Sequence, residues 1–316
     1  MFFEKYKIIK NNCLGKGSFS MVYQGLQLKN NTPVAIKIIT RIDMNEKMIE
    51  RLSEEIIIMQ KIKKNPHPNI VNCYDIYDEG NTVYIVMEFC DSGDLATIIR
   101  EPIREVWVQY FMCQLVNGLK YLDTHSILHR DIKPKNILLT KDSKILKIAD
   151  FGLARVLNKN SVINTLCGSP LYMAPEILNR NAYSKRTDLW SIGIIMYEML
   201  FGHHPLLNCN TIDELTVLIN NHNIIIPPLN NTNNITPECI ELLKLLLKKK
   251  PENRLSWTIF FNHFWLNRFK FKNLKNEPVR ANSCESLHEL TKTKYSDTED
   301  NELEHSQYSL HEINKS

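Results

Sequence analysis

The residues His129-Arg130-Asp131-Ile132-Lys133-Pro134-Lys135-Asn136 set a carboxylate, cationic side chains and a carboxamide between an apolar helical run and the short apolar stretch Ile137-Leu138-Leu139. Such a density of charge is a poor recipe for a core and a good one for a site. Fourteen positions after Asn136 comes Asp150-Phe151-Gly152, a second carboxylate in a flexible setting. Transfer of a phosphoryl group to a hydroxyl asks for a carboxylate that orients the hydroxyl and takes its proton. It also asks for a cation at the moving phosphate and hard oxygen ligands for Mg2+. Asp131, Lys133, Asn136 and Asp150 supply those groups at spacings that rarely coincide.

Further elements must position these groups. Leu14-Gly15-Lys16-Gly17-Ser18-Phe19-Ser20 leads into Met21-Val22-Tyr23, and glycine there lets backbone N–H groups approach phosphates because no Cβ obstructs them. Both flanks read as strands. A dinucleotide-binding loop would open a helix, and a P-loop would close in Gly-Lys-Ser/Thr, so neither description fits. Downstream, Val34-Ala35-Ile36-Lys37 is an apolar strand with a lysine inside it, and a buried lysine needs an anionic partner. The helical period from Asp43 to Lys63 offers one, with Ile49, Leu52, Ile56 and Met59 on one face. Glu54 and Glu55 compete for the role. Glu55 is preferred because Met59, four residues on, then stacks on the same inner side.

Val71 to Tyr77 and Thr82 to Phe89 read as two more strands around the turn Asp78-Glu79-Gly80-Asn81. Cys90-Asp91-Ser92-Gly93 has linker composition, and helical periods follow it. Glu105 to Thr124 carries Val108, Phe111, Leu115 and Leu119 on one face, and Asp188 to Leu200 is apolar all round, as a buried helix would be. Thr236-Pro237-Glu238 opens a helix expected to run from Cys239 to Lys249, with Lys248-Lys249-Lys250 at its negative end. Trp257 to Phe269 reads as one last helix.

Residues 271–316 are rich in Ser, Thr, Glu, Asn and His and are expected to be a disordered acidic tail. The net charge of +4 is uneven, near −5 from Ala281 onward and near +9 before it, and a basic body suits phosphate-bearing ligands. The eight cysteines include no C-x-x-C pair and no zinc-ligand spacing, which points to a reducing compartment. Met1-Phe2-Phe3 runs at once into Glu4-Lys5, unlike a signal peptide, and the longest apolar run, Ile192 to Met196, is too short for a bilayer. A cytoplasmic protein without a membrane segment is expected, and nothing points to nucleic acid.

On these motifs, together with Ala174-Pro175-Glu176, Asp188-Leu189-Trp190-Ser191-Ile192-Gly193 and Arg254, the chain resembles the eukaryotic protein kinases over about residues 6–266. The resemblance implies an α+β, two-lobed fold. Residues 6–89 would form an antiparallel five-stranded sheet with one main helix, and 90–266 a mainly helical lobe, with ATP in the cleft between them. It implies Lys37 on the α/β-phosphates with Glu55 as its clamp, and Asp131 as catalytic base with Lys133 at the γ-phosphate. Asn136 and Asp150 would be the Mg2+ ligands. Leu14, Gly15 and Gly17 would cover the nucleotide. Val22, Ala35 and Leu138 would pack on adenine, Met87 would guard its pocket, and Glu88 and Cys90 would offer backbone groups to it. Glu176 would pair with Arg254 as structural support.

Lys133 and Gly168-Ser169-Pro170-Leu171-Tyr172 resemble the serine/threonine type, implying protein substrates. Met87 to Leu95 and Thr165 to Glu176 are most similar to the autophagy-initiating ULK kinases, with calcium/calmodulin-type kinases as near relatives. Arg130 beside Asp131 suggests regulation by a phosphate on the activation loop, delivered by an upstream kinase or by self-phosphorylation. Thr165 is the best-placed acceptor and Ser161 the second. Ser20 replaces the third glycine of the phosphate loop, which the family tolerates. Lys135 stands where a carboxylate would recognise arginine, so no strong arginine preference is expected. A pseudokinase or scaffold is the reading from another class, and the presence of Lys37, Asp131 and Asp150 argues against it. A kinase-fold enzyme acting on a small molecule is disfavoured by the intact Gly168 to Glu176 segment.

Overall fold

The computed structural model describes residues 2–141, 143–156, 168–181, 183–184, 186–206, 209, 211–228 and 235–267. The first part of the chain folds as β1 (Tyr6–Lys16), β2 (Ser20–Gln27), β3 (Thr32–Thr40), α1 (Glu46–Lys64), β4 (Cys73–Glu79) and β5 (Thr82–Glu88). The strands form one antiparallel sheet in the order β1-β2-β3-β5-β4. Side-chain alternation sorts β3 between two faces. Val34 and Ile36 join Phe2, Tyr6 and Val86 on one side, while Ile39 joins the main core with Leu52, Ile58, Met59 and Ile62 of α1 on the other. Lys37 shares the face of Ile39 and therefore looks towards α1. Phe2 is fully buried, stacked on Tyr84 with ring centroids 4.4 Å apart, and closes the far side of the sheet.

Asn45 caps α1 by accepting from the Met48 N–H, and Lys61, Lys63 and Lys64 occupy its last turn, where cations suit the helix dipole. The buried stripe is Leu52, Glu55, Ile58, Met59 and Ile62. Ile49, expected on that face, is 42% exposed. It lies in the first turn, whereas the packed stripe begins at Leu52; burial follows the neighbours available to the helix, not the period alone. β4 begins at Cys73 and not at Val71 because the Val71 N–H is drawn to the Ile148 carbonyl, 2.9 Å away, in the other lobe.

The second part comprises α2 (Leu95–Ile98), α3 (Glu105–Thr124), β6 (Ile127–Leu128), β7 (Ile137–Thr140), β8 (Ile145–Ile148), β9 (Arg155–Val156), α4 (Pro175–Leu178), α5 (Thr187–Phe201), α6 (Ile212–Asn221), α7 (Pro237–Leu246), α8 (Trp257–Phe261) and α9 (Phe264–Asn267). α3 has the anticipated ends and buries Val108, Phe111, Leu115 and Leu119. Every residue of α5 is buried. It stops at Gly202, whose φ of +73° and contact with Pro102 leave no room for a side chain. β6 pairs with β9 and β7 with β8. Residues 129–136 therefore connect β6 to β7, and 149–154 connect β8 to β9, so the two ribbons carry the two loops of interest side by side.

Two helix ends differ from expectation. α7 stops at Leu246 because the carbonyls of Lys248 and Lys249 accept from the Arg254 guanidinium instead of continuing the helix. The segment expected as one helix after Trp257 breaks at Asn262-His263, where His263 Nδ1 accepts from the Trp265 N–H and starts α9. Among the described residues no helix is long and apolar enough to cross a membrane.

The back of the molecule joins its lobes through residues 69–71. Ile148 N–H donates to Asn69 O at 2.9 Å, and Asn69 Nδ2 donates to Leu146 O at 2.9 Å. Gly118 of α3 lies beneath this seam; a Cβ there would sit 2.8 Å from Ile148 Cδ1 and 2.9 Å from Asn69 O. Gly118→Ala should therefore destabilise the protein by about 1–3 kcal/mol, the usual cost of overpacking. A denaturant midpoint equal to that of the wild type would contradict this.

Candidate active site

α1 and β3 bring Lys37 Nζ to 2.6 Å from Glu55 Oε1, and the β8–β9 connection brings Asp150 Oδ1 to 3.3 Å from the same ammonium. Glu54, the competing partner, turns away and bonds Arg155 of β9 at 2.7 Å. Burial works against the Lys37 charge, but the Glu55 and Asp150 carboxylates outweigh it and hold its pKa above the usual lysine range. For Asp150 burial again opposes ionisation and Lys37 outweighs it, so this carboxyl is held below the usual range. Its side chain remains 53% exposed, and Asp150 lines the cleft.

Asp131 is held from both sides. Its Oδ1 accepts from the Ser169 N–H at 2.9 Å and the Ser169 hydroxyl at 3.0 Å; its Oδ2 accepts from Asn136 Nδ2 at 2.9 Å. Lys133 Nζ lies 2.8 Å from Asp131 Oδ2 and donates to Ser169 Oγ at 2.7 Å. The loop backbone is strained to achieve this, with φ of +65° at Arg130 and +60° at Asp150, neither of them glycine. Two buried groups sustain the strain. Asp188, at the start of α5, accepts from the backbone N–H groups of His129 and Arg130, while burial pushes its carboxyl up to about 7. His129 donates Nε2–H to Ala149 O at 3.0 Å and accepts the Asp131 N–H on Nδ1 at 3.3 Å. Burial holds it below the usual histidine range, so the ring is neutral and clasps one loop to the other.

Above these groups lies a cleft of ≈ 690 Å³, within the size range of small-molecule sites. Leu14, Gly15, Gly17, Val22, Ala35, Met87, Glu88, Cys90 and Leu138 line it, with Lys37, Glu55, Asn136 and Asp150 at its polar end. An apolar slot ending in a cation and two oxygen donors fits a nucleoside with its phosphates, and no Cβ-sized obstruction stands over Gly15. Asp131 and Lys133 lie outside this lining and belong to the Ser169 network. Arg130 is buried, with Nε donating to Leu153 O at 2.7 Å. Thr165 and Ser161 lie outside the described residues. Among the described residues no group of three His, Cys, Asp or Glu side chains is gathered to hold a metal. Asn136 and Asp150 suit a hard cation that takes one or two protein oxygens and completes its shell with phosphates and water.

A protein kinase domain family model matches residues 8–266. The chain belongs to the protein kinase family. It is 44% identical over 264 residues to "Serine/threonine-protein kinase atg1" of Dictyostelium discoideum, covering 80% of this chain and 38% of that protein. It is 39% identical over 258 residues to "Serine/threonine-protein kinase ATG1b" of Arabidopsis thaliana, covering 80% and 36%. It is 38% identical over 291 residues to "Putative serine/threonine-protein kinase R517/R518" of Acanthamoeba polyphaga mimivirus, covering 83% and 63%. The chain thus spans only part of the length of these relatives.

The kinase motifs include Ser169 and Asp188 without revealing what either touches, and Arg155 belongs to none of them. Ser169 looks like a turn residue; only Gly168, at φ +107° and with its missing Cβ 2.7 Å from Arg130 O, hints that this segment presses on the catalytic loop.

Proposed function

We propose that this kinase domain, spanning about residues 6–266, transfers the γ-phosphate of ATP to serine or threonine hydroxyls of protein substrates, using Mg2+. The observation that carries the reading is Asp131, held by Asn136, Lys133 and Ser169, in a chain whose Lys37, Glu55 and Asp150 are already in contact. Catalysis here is positioning and charge neutralisation. Lys37, kept cationic and fixed by Glu55, holds the α/β-phosphates. Asp131 orients the acceptor hydroxyl and accepts its proton, and Lys133, 2.8 Å from Asp131 Oδ2, offers a cation to the transferring phosphoryl group. Asp150 and the Asn136 carbonyl oxygen, whose amide nitrogen is taken by Asp131, would hold the cation. Mg2+ bound there would neutralise the phosphate oxygens as charge develops.

Regulation by phosphate on Thr165, with Arg130 as a contributing cation and an upstream kinase or self-phosphorylation as the source, belongs to the same reading. So does a cytoplasmic setting, which the six free thiols among the described residues suit. Lys135, exposed at the mouth of the cleft, supports an acceptor segment without an arginine requirement. The test is transfer of radiolabelled γ-phosphate to a generic protein acceptor with Mg2+, followed by phosphoamino-acid analysis. Phosphoserine or phosphothreonine is expected. No incorporation under several activating conditions, or phosphotyrosine alone, would overturn the proposal.

A further inference from the structure

One cluster of charges outside the cleft has no part in the transfer step. Arg155 Nη1 lies 2.7 Å from Glu54 Oε1 and 3.5 Å from Glu50 Oε1. Glu50 and Glu54 are one turn apart on α1, so they share a face, and Glu54 is the immediate neighbour of Glu55, which clamps Lys37. Burial raises the Glu54 carboxyl above its usual range, and the Arg155 guanidinium works against that rise. The second oxygen, Glu54 Oε2, is buried without a hydrogen-bond partner among the described residues, so this carboxylate is committed to its site and does not idle at the surface. Arg155 in turn pairs across the ribbon with Leu128, the residue before His129. The contact therefore fastens α1 to the strand pair from which both the Asp131 and the Asp150 loops depart.

We propose that Glu54, backed by Glu50, is a positioning residue that supplies from α1 itself the anion with which Arg155 pairs, and thereby seats Glu55 on Lys37 before any phosphate is on the activation segment. This rests on the kinase reading above and concerns how Glu55 is seated before any phosphate is added to the activation segment. Both Glu54 and Arg155 side chains are 23% exposed. The pair is therefore screened less than a surface ion pair, and its geometry is that of a charge-assisted hydrogen bond.

The experiment uses the full chain, treated with phosphatase and shown to be phosphate-free by mass spectrometry. In that state Glu54→Gln should lower kcat about tenfold with the KM for acceptor little changed, and Arg155→Glu should do the same. The reversed pair, Glu54→Arg with Arg155→Glu, should recover much of the loss, which a merely structural defect would not allow. Backbone hydrogen exchange along α1 reads the seating without any catalysis, and Glu54→Gln should make it faster. A Glu54→Gln kcat within about twofold of phosphate-free wild type, or unchanged α1 exchange, overturns the proposal. Absence of all transfer by the wild type would instead sink the kinase reading, while the exchange measurement still decides the role of Glu54.

Discussion

Asp131→Asn should lower kcat by about 10²–10⁴-fold, the range supplied by a positioned general base, or about 2.7–5.4 kcal/mol of barrier. The loss arises twice over. A carboxamide has no useful basicity, so the acceptor proton has nowhere to go. The amide also presents a donor on one side, and both sides of Asp131 already face donors: Ser169 N–H on one, Asn136 Nδ2 and Lys133 Nζ on the other. One donor–donor contact is unavoidable whichever way the amide turns. Binding of nucleotide should survive, because Asp131 is not part of the cleft lining. Radiolabel incorporation and a nucleotide-binding titration on the same sample separate the two effects. A variant within about threefold of wild type in kcat would remove Asp131 from the catalytic role.

The largest effect on stability is expected at Arg254. Its side chain is fully buried, and Nη1 and Nη2 reach the two Glu176 oxygens at 2.9 and 3.0 Å. The other three N–H groups go to the carbonyls of Lys248, Arg186 and Lys249, so all five donors are used. Arg254→Met leaves the Glu176 carboxylate buried with, among the described residues, the Thr187 hydroxyl as its remaining hydrogen-bond donor, and breaking such a pair costs about 3–5 kcal/mol. Removing both charges, as in Glu176→Leu with Arg254→Met, should cost less than Arg254→Met alone, because no buried charge is then stranded. Equilibrium denaturation followed by circular dichroism measures both; a cost under about 1 kcal/mol for Arg254→Met would show that water reaches the site. Since α4 follows directly from the Ser169 segment, the loss should also loosen the grip on Asp131.

Charged residues out of place in apolar segments made most of the site readable. Lys37 within a β-branched strand, Glu55 on the inner face of a helix, and Asp131 and Asn136 beside an apolar strand each advertise a partner, and those partners are found. α3 and α5 were equally plain, since one has a clean apolar face and the other no polar face at all. Ile49 and the end of α7 were misread for one shared reason. A period or a run of lysines describes the helix alone, whereas its burial and its stop are decided by what packs on it: the sheet for α1, and the Arg254 guanidinium for the carbonyls after Leu246. Ser169 and Asp188 stood inside recognisable motifs, but what they hold was hidden because their partners lie 38 or more residues away in the chain. Phe2 gave no hint that it would be buried, since nothing in the local pattern marks a terminal aromatic as part of a sheet face.

The seam at residues 69–71 has a mechanical consequence. Ile148 is tied there through both its N–H and its carbonyl, each at 2.9 Å, and Ile148 lies two residues before Asp150. A hinge bolted on both sides of one residue can turn but cannot slide. Rotation about that spine would open the cleft like a book. Asp150, two residues from it, would then move little relative to Asp131, because both loops depart from ribbons of the same lobe.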